Sequence, residues 1–218
     1  MLSFVALLLG VACAPSGGNP TSTPAPKPQG AGLGPTPVAG GAGPKQWPNP
    51  PAMAIDPNKQ YMATISTNVG DMRAQLFAKE APLAVNNFVF LARQNFYDGT
   101  PFHRIIAGFM VQTGDPMGTG RGGPGYRFRD ELPKDREYER GTLAMANAGP
   151  DTQGSQFFIC HADLKGKLPK NYTIFGKVTD GLDILDKIAN TPVKASATGE
   201  PSAPTQDVHI TTATIEEQ

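Results

Sequence analysis

Cysteine, tryptophan and net charge are what this chain has least of. Two cysteines, Cys13 and Cys160, are its whole supply. One lies in an apolar start and the other far along the chain, so no intramolecular disulfide is indicated. Lys plus Arg number 19 and Asp plus Glu number 19. The balance leaves no broad basic face to neutralise a phosphate backbone, which argues against nucleic acid as a partner. The apolar opening run "MLSFVALLLGVAC" is well short of the roughly 20 residues a membrane-spanning helix needs. No internal repeat is present. What the chain has in abundance is glycine, 25 residues, and proline, 22.

The apolar run has the length of the hydrophobic part of an export signal. With Ala12 before Cys13 it resembles a bacterial lipoprotein signal, in which the cysteine is cleaved free and lipidated. No Lys or Arg precedes the run, and Gly10 stands where that pattern usually holds leucine. The resemblance implies a signal over residues 1–13, lipidation at Cys13 and an extracytoplasmic location on a bacterial cell envelope, with the membrane touched only through the lipid. From Ala14 to about Gln60, Pro, Gly, Ser, Thr and Ala dominate, with charges only at Lys27, Lys45, Asp56 and Lys59. Such a composition cannot bury enough apolar surface to offset chain entropy, so residues 14–60 read as a disordered, partly polyproline-like linker. Trp47, in "KQWPNPP", reads as a stray aromatic within it; the other reading is a recognition element for another protein.

At Tyr61 the pattern changes. "YMATISTNVGDMRAQLF" gives two alternating runs around a turn at Asn68, Val69, Gly70 and Asp71, a hairpin. "APLAVNNFVFLARQNFYDG" follows, with Pro82 suited to a first helical turn and Leu83, Val85, Phe88, Val89, Leu91 and Ala92 spaced along one face. Short strands and glycine turns fill the next eighty or so residues. "DGLDILDKIANTP" then supplies a second amphipathic helix before a final strand, "DVHITTATIEE". Mostly β with two helices, residues 61–218 read as a closed or nearly closed barrel.

Within this domain "FHRIIAGFMVQTGD" sets Arg104 among apolar residues. Pairing Phe102–Ile106 with Met110–Gly114 puts Arg104 opposite Gln112, close enough for the amide to orient the guanidinium. Met110 and Gln112 share one face while Val111 points to the core. "GTLAMANAGPDTQGSQFFICHA" adds a shelf of small residues, Ala146, Asn147 and Ala148, then Gln156 and Phe158 on one strand face and Phe157 and Ile159 on the other. That shelf leaves backbone exposed for an extended peptide. "GTGRGGPGY" lacks the Gly-Lys-Ser/Thr ending of a phosphate loop and no helix follows it. Cys160 is expected at a buried strand end, His103, His161 and His209 lack ligand spacing, and "RDELPKDREYER" has the look of a solvated loop.

The motifs "FHRIIAGFMVQTGD", "GTGRGGPGY", "LAMANAGPDTQGSQFFIC" and "NYTIFGKV", in this order, closely resemble the cyclophilin family of peptidyl-prolyl cis-trans isomerases. The resemblance covers about Tyr61 to Glu217. It implies an eight-stranded antiparallel β-barrel closed by two α-helices, with the substrate groove on its outer surface. Arg104 would be the catalytic arginine; Phe109, Met110, Phe158 and Leu168 would form the proline pocket; Gln112, Ala146, Asn147, Ala148 and Gln156 would line the peptide groove. The family pattern is departed from at three positions: Lys167 where many members carry tryptophan, Tyr172 where histidine is common, and Ala107 for a frequent proline. Tyr172 can still line the pocket. The implied activity is rotation about X-Pro bonds in unfolded or exported polypeptides, by a monomer, with no metal and no cofactor. A proline-peptide binding module or chaperone with little turnover is the rival reading.

Overall fold

The computed structural model describes residues 45–218. The export signal, Cys13 and the linker as far as residue 44 therefore lie outside the described residues.

Alternating residues make the first hairpin. In β1 (Tyr61–Thr67), Tyr61, Ala63 and Ile65 are buried, and in β2 (Gly70–Leu76) Met72, Ala74 and Leu76 are. The strands pair in register from Tyr61 opposite Leu76 to Thr67 opposite Gly70. The turn is tighter than expected, because Asp71 already lies within β2, opposite Ser66. Gly70 has φ of 134° and sits against the Ile184 side chain, which a Cβ there would strike. Only glycine meets both conditions.

Next come α1 (Pro82–Arg93), β3 (Arg104–Ile106), β4 (Met110–Thr113), β5 (Thr142–Met145), β6 (Phe157–Cys160), β7 (Ile174–Asp180), α2 (Leu182–Ala189), a small hairpin of β8 (Val193–Ala195) and β9 (Pro201–Pro204), and β10 (Ile210–Glu217). Eight strands form one antiparallel sheet in the order β10-β1-β2-β7-β5-β6-β4-β3. The expected barrel is thus a curled sheet. Its outermost strands do not pair along their lengths; the chain just ahead of β3 is instead stitched to the start of β10 and the residues before it, by Gly99 N–H to Ile210 O at 2.8 Å, Ile210 N–H to Thr100 O at 2.9 Å and Phe102 N–H to Val208 O at 2.9 Å. The β8–β9 hairpin is an element that the sequence pattern does not disclose. Among the described residues no helix is long and apolar enough to cross a membrane.

Phe88 of α1 packs inside the curl against Tyr97, Phe157 and Phe175, with ring centroids 5.1, 5.5 and 5.3 Å away. Contacts of this kind add to area burial. The helix is buried well beyond the expected stripe, since Asn86 and Asn87 are also covered while Leu83 is only half-buried. Its N-terminus has no side-chain cap at Ala81; Glu131 supplies one from across the molecule, accepting the N–H groups of Leu83 at 3.0 Å and Ala84 at 2.9 Å. A carboxylate there meets the orphan donors and the positive end of the helix dipole. The segment expected to be a solvated loop therefore caps α1, and it also buries Tyr138.

The linker expectation needs the larger correction. Residues 45–60 lie on the domain, and Trp47 is only 1% exposed. Its ring meets Phe90 edge-on at 5.1 Å and Phe96 at 5.9 Å, and its amide donates to Pro124 O at 2.8 Å. Asn86 explains why this stretch has a fixed path. Its Oδ1 accepts from Ala54 N–H at 2.9 Å and Ile55 N–H at 3.3 Å, and its Nδ2 donates to Ala52 O at 3.0 Å. One side chain thus replaces a β-ladder for a proline-rich segment that cannot form one. The packed domain therefore takes in residues 45–60 and does not start at Tyr61.

Trp47→Ala should cost about 3–5 kcal/mol, as for a large aromatic removed from a core. Urea melts of the full chain measure it. Trp47 is the sole tryptophan, so its emission should be blue-shifted when native and move red with global unfolding; a red-shifted native spectrum would contradict the packing.

Candidate active site

Strand alternation divides the side chains of β4, β5 and β6 into two clusters. Val111, Leu143, Met145, Phe157 and Ile159 belong to the interior core. Met110, Ala144, Phe158 and Cys160 form a second cluster on the outer face, joined by Phe77, Tyr138, Leu164 and Ile174. Phe109, Ala146, Leu168 and Tyr172 pack partly buried against it. A sheet whose outer face should be wet carries an apolar patch there.

Arg104 lies opposite Gln112, as the alternation required, and Gln112 lies opposite Phe158 on the next strand. The expectation that Gln112 orients the guanidinium does not hold. Its amide donates instead to Gln156 Oε1 at 3.0 Å, and Gln156 passes the connection to Gly122 O at 2.9 Å. Arg104 is held by Glu200: Nε and Nη2 donate to the two carboxylate oxygens at 2.6 and 2.7 Å. Nη1 faces Met110 Sδ at 3.8 Å, and the guanidinium carbon lies 6.0 Å from the centre of the Phe109 ring. Hydrogen bonding to Arg104, reinforced by Ser202, holds the Glu200 carboxyl down at about 2 against the opposing effect of burial. The pair therefore persists in mild acid and is lost only as pH falls toward that value.

The other expected residues fall into two adjoining places. Phe109, Met110, Phe158, Leu168 and Tyr172 make the apolar patch, with the Tyr172 ring perpendicular to Phe158 at 5.4 Å. Tyr138 clasps the Tyr172 backbone, its hydroxyl donating to Tyr172 O at 2.8 Å and accepting from Tyr172 N–H at 3.0 Å. Gln112, Ala146, Asn147, Ala148 and Gln156 line an open groove of about 1090 Å³ that runs to Gly122 and Pro124. Ala146 belongs to both, and so marks where they meet. Asn147 is fixed by its Nδ2, which donates to Asn171 O at 2.8 Å, and Thr152 Oγ1 accepts the Ala148 N–H at 2.8 Å. Lys167 is exposed.

The Gly120–Gly123 wall of the groove is organised by Asp115, which is buried and accepts N–H groups from Met117, Thr119 and Gly122 at 2.8, 2.9 and 3.0 Å. Burial opposes its charge, yet these bonds hold its carboxyl below the ordinary range. His161 ties the backbone at Gly108 and Phe109 to α2. Its own amide donates to Phe109 O at 3.0 Å, its Nδ1 accepts the Gly108 N–H at 2.8 Å, and its Nε2 lies 3.0 Å from Asp186 on α2. Neither His161 nor Glu200 is legible in the sequence as a site residue, because both act on partners distant along the chain.

An apolar patch, a guanidinium held at its edge and an open groove beside them are features suited to an extended, proline-bearing peptide. Comparison with known proteins identifies the family. Residues 62–215 match the family described as "Cyclophilin type peptidyl-prolyl cis-trans isomerase/CLD". A peptidyl-prolyl cis-trans isomerase of Helicobacter pylori is 52% identical over 133 residues, spanning 60% of this chain and 81% of the relative. The human peptidyl-prolyl cis-trans isomerase-like 3 is 46% identical over 156 residues, 70% of this chain and 94% of the relative. A crystal structure of a Cryptosporidium parvum cyclophilin-type isomerase superposes with a TM-score of 0.67 at 37% identity, covering 73% of this chain and 99% of that one. The same neighbour was also solved in the presence of the dipeptide Ala-Pro, with a TM-score of 0.66. The chain belongs to the cyclophilin-type peptidyl-prolyl cis-trans isomerase family, and is an isomerase of that type.

Cys160, a member of the outer cluster, is fully buried. Burial pushes its thiol up to about 12, which disfavours the thiolate that a nucleophile needs. Iodoacetamide at pH 8 should leave Cys160 unmodified in the native protein and modify it in urea, read by peptide mass mapping so that Cys13 is scored separately; rapid native labelling would show the strand to be open.

Proposed function

We propose that Arg104 is the catalytic residue, that Phe109, Met110, Phe158, Leu168 and Tyr172 hold the proline ring, and that Gln112, Ala146, Asn147, Ala148 and Gln156 bind the flanking peptide of unfolded or exported chains. The observation that carries the reading is the direction of the guanidinium: Nη1 is turned to Met110 and the Phe109 ring, at the edge of the apolar patch.

Amide resonance sets a barrier of roughly 18–20 kcal/mol to rotation about a peptide bond. At the X-Pro bond the nitrogen lone pair leaves conjugation as the bond twists. A guanidinium stays charged throughout and donates to that nitrogen or to a nearby carbonyl more strongly in the twisted state than in the planar one. The apolar patch grips the ring and excludes water, while the groove fixes the flanking peptide so that the twist is confined to one bond. Bonds to Asn171 and Thr152 keep the Asn147–Ala148 shelf in place. Only rotation is required, and no bond is made or broken.

Arg104→Ala should lower kcat/KM on an X-Pro peptide roughly 10²- to 10³-fold, the range for losing one preorganised donor. The circular dichroism and melting temperature should stay close to wild type, because the side chain is about a third exposed. A protease-coupled assay reads the activity; a value within a few-fold of wild type would defeat the assignment. The same assay separates turnover from mere peptide binding.

We further propose that Cys13 is lipidated and tethers the enzyme to the outer side of a bacterial membrane, where it meets exported polypeptides. The supporting feature is the apolar run ending at Ala12-Cys13. Because the packed domain takes in residues 45–60, the tether is at most residues 14–44, a span of roughly 30 Å as a flexible coil and about 95 Å if fully polyproline-like. The full chain should take up labelled palmitate and sediment with membranes, and Cys13→Ser should do neither. A soluble protein with an intact Met1 would refute the tether.

A further inference from the structure

Glu200 stands at the tip of the β8–β9 hairpin, 96 residues beyond the arginine it contacts. Gly199, with φ of 84°, turns the chain there, and Ser196 N–H donates to Glu200 O at 2.7 Å, which fixes the tip. The next strand, β9, packs beside β3, the strand that carries Arg104. The contact is therefore backed by two elements and is not a chance meeting of surface side chains.

A carboxylate on a catalytic guanidinium could do one of two things. It could sit between the arginine and the pocket and block the substrate, or hold the arginine from behind. The atoms decide. Glu200 occupies Nε and Nη2, the outer edge of the fork, in a two-point contact that fixes the plane of the guanidinium. Nη1 is left directed at Met110 and the patch. Gln112, the residue otherwise best placed to orient Arg104, is committed to Gln156. From this we infer that Glu200 is a positioning residue for the isomerase reaction, holding Arg104 so that its Nη1 edge meets the prolyl amide.

The inference rests on Arg104 being catalytic. An arginine side chain has several rotatable bonds, and catalysis by a donor is sensitive to displacement on the ångström scale. Without Glu200 the guanidinium would sample solvent, so the substrate would bind nearly as before and turn over more slowly. Glu200→Gln keeps the size but can offer the fork only one oxygen, and Glu200→Ala removes the contact. Glu200→Asp keeps the charge on a shorter stem.

The test uses the full chain and a short Ala-Pro peptide, with turnover from the protease-coupled assay and affinity from an NMR titration. Glu200→Gln and Glu200→Ala should lower turnover about 10-fold or more while peptide affinity changes less than about twofold. Glu200→Asp should recover part of the loss. In an Arg104→Ala background Glu200→Gln should have no further effect, a coupling that damage to the hairpin alone would not produce. Wild-type turnover in Glu200→Gln, or an increase, overturns the inference, the increase marking a blocking contact. If Arg104→Ala is itself fully active, the assignment of Arg104 fails and this inference with it; if Arg104→Ala is inactive and Glu200→Gln is not impaired, only the role of Glu200 fails.

Discussion

The two-residue alternation of β4 and β6 is the constraint on which the rest of this structure hangs. Val111, Phe157 and Ile159 must point inward to fill the curl, so Met110, Gln112, Phe158 and Cys160 must point outward. A slip of one residue in either strand would exchange the two sets and lose core and site together. The outer apolar patch is thus fixed by the same packing that stabilises the fold. Met110 and Phe158 are buried as deeply as core residues, which suits the proposed grip on a single ring. Rigid strands place a site more precisely than loops do.

How far the sequence discloses this depends on where the information lies. The hairpin pairing of Arg104 with Gln112 is local and alternating, and follows from the order of residues alone. So does the separation of Phe158 from Phe157. The choice of polar partners does not. Gln112 lies opposite Arg104, yet it bonds Gln156 while Arg104 bonds Glu200, a choice that strand pairing alone does not encode. Glu200 is illegible for another reason. β8 and β9 contain Pro201 and Pro204 and expose most of their residues, so they carry neither the alternation nor the β-branched density that marks a strand.

The amino-terminal correction has a similar cause. Composition correctly says that residues 45–60 cannot build a core of their own. It says nothing about joining one that exists. Trp47 and Ile55 supply apolar anchors, and the prolines between them lower the entropy lost on docking because their φ is already fixed. The matching feature, the amide of Asn86, sits within a helix pattern where a polar residue on a buried face would count against the prediction. In the structure that residue is saturated by backbone groups of the docked segment. Glu131 follows the same logic: a charge in a loop that looks solvated becomes a helix cap once the fold brings Leu83 to it.

One electrostatic problem links the sheet edge to the chemistry. β3 is the last strand of its sheet, and an open edge invites pairing with other extended chains. That hazard is acute for a protein whose proposed substrates are extended chains. The β8–β9 hairpin lies against this strand, and so limits access to it. Placing a hairpin there also brings its tip to Arg104, and an uncharged tip would leave a half-buried guanidinium without a counter-charge. Glu200 supplies one in a geometry that uses only the outer edge of the fork. Guarding the edge and aiming the arginine are thus two results of a single placement. A longer or shorter turn between β8 and β9 would disturb both at once, whereas a change at Glu200 alone would leave the edge covered and touch only the chemistry.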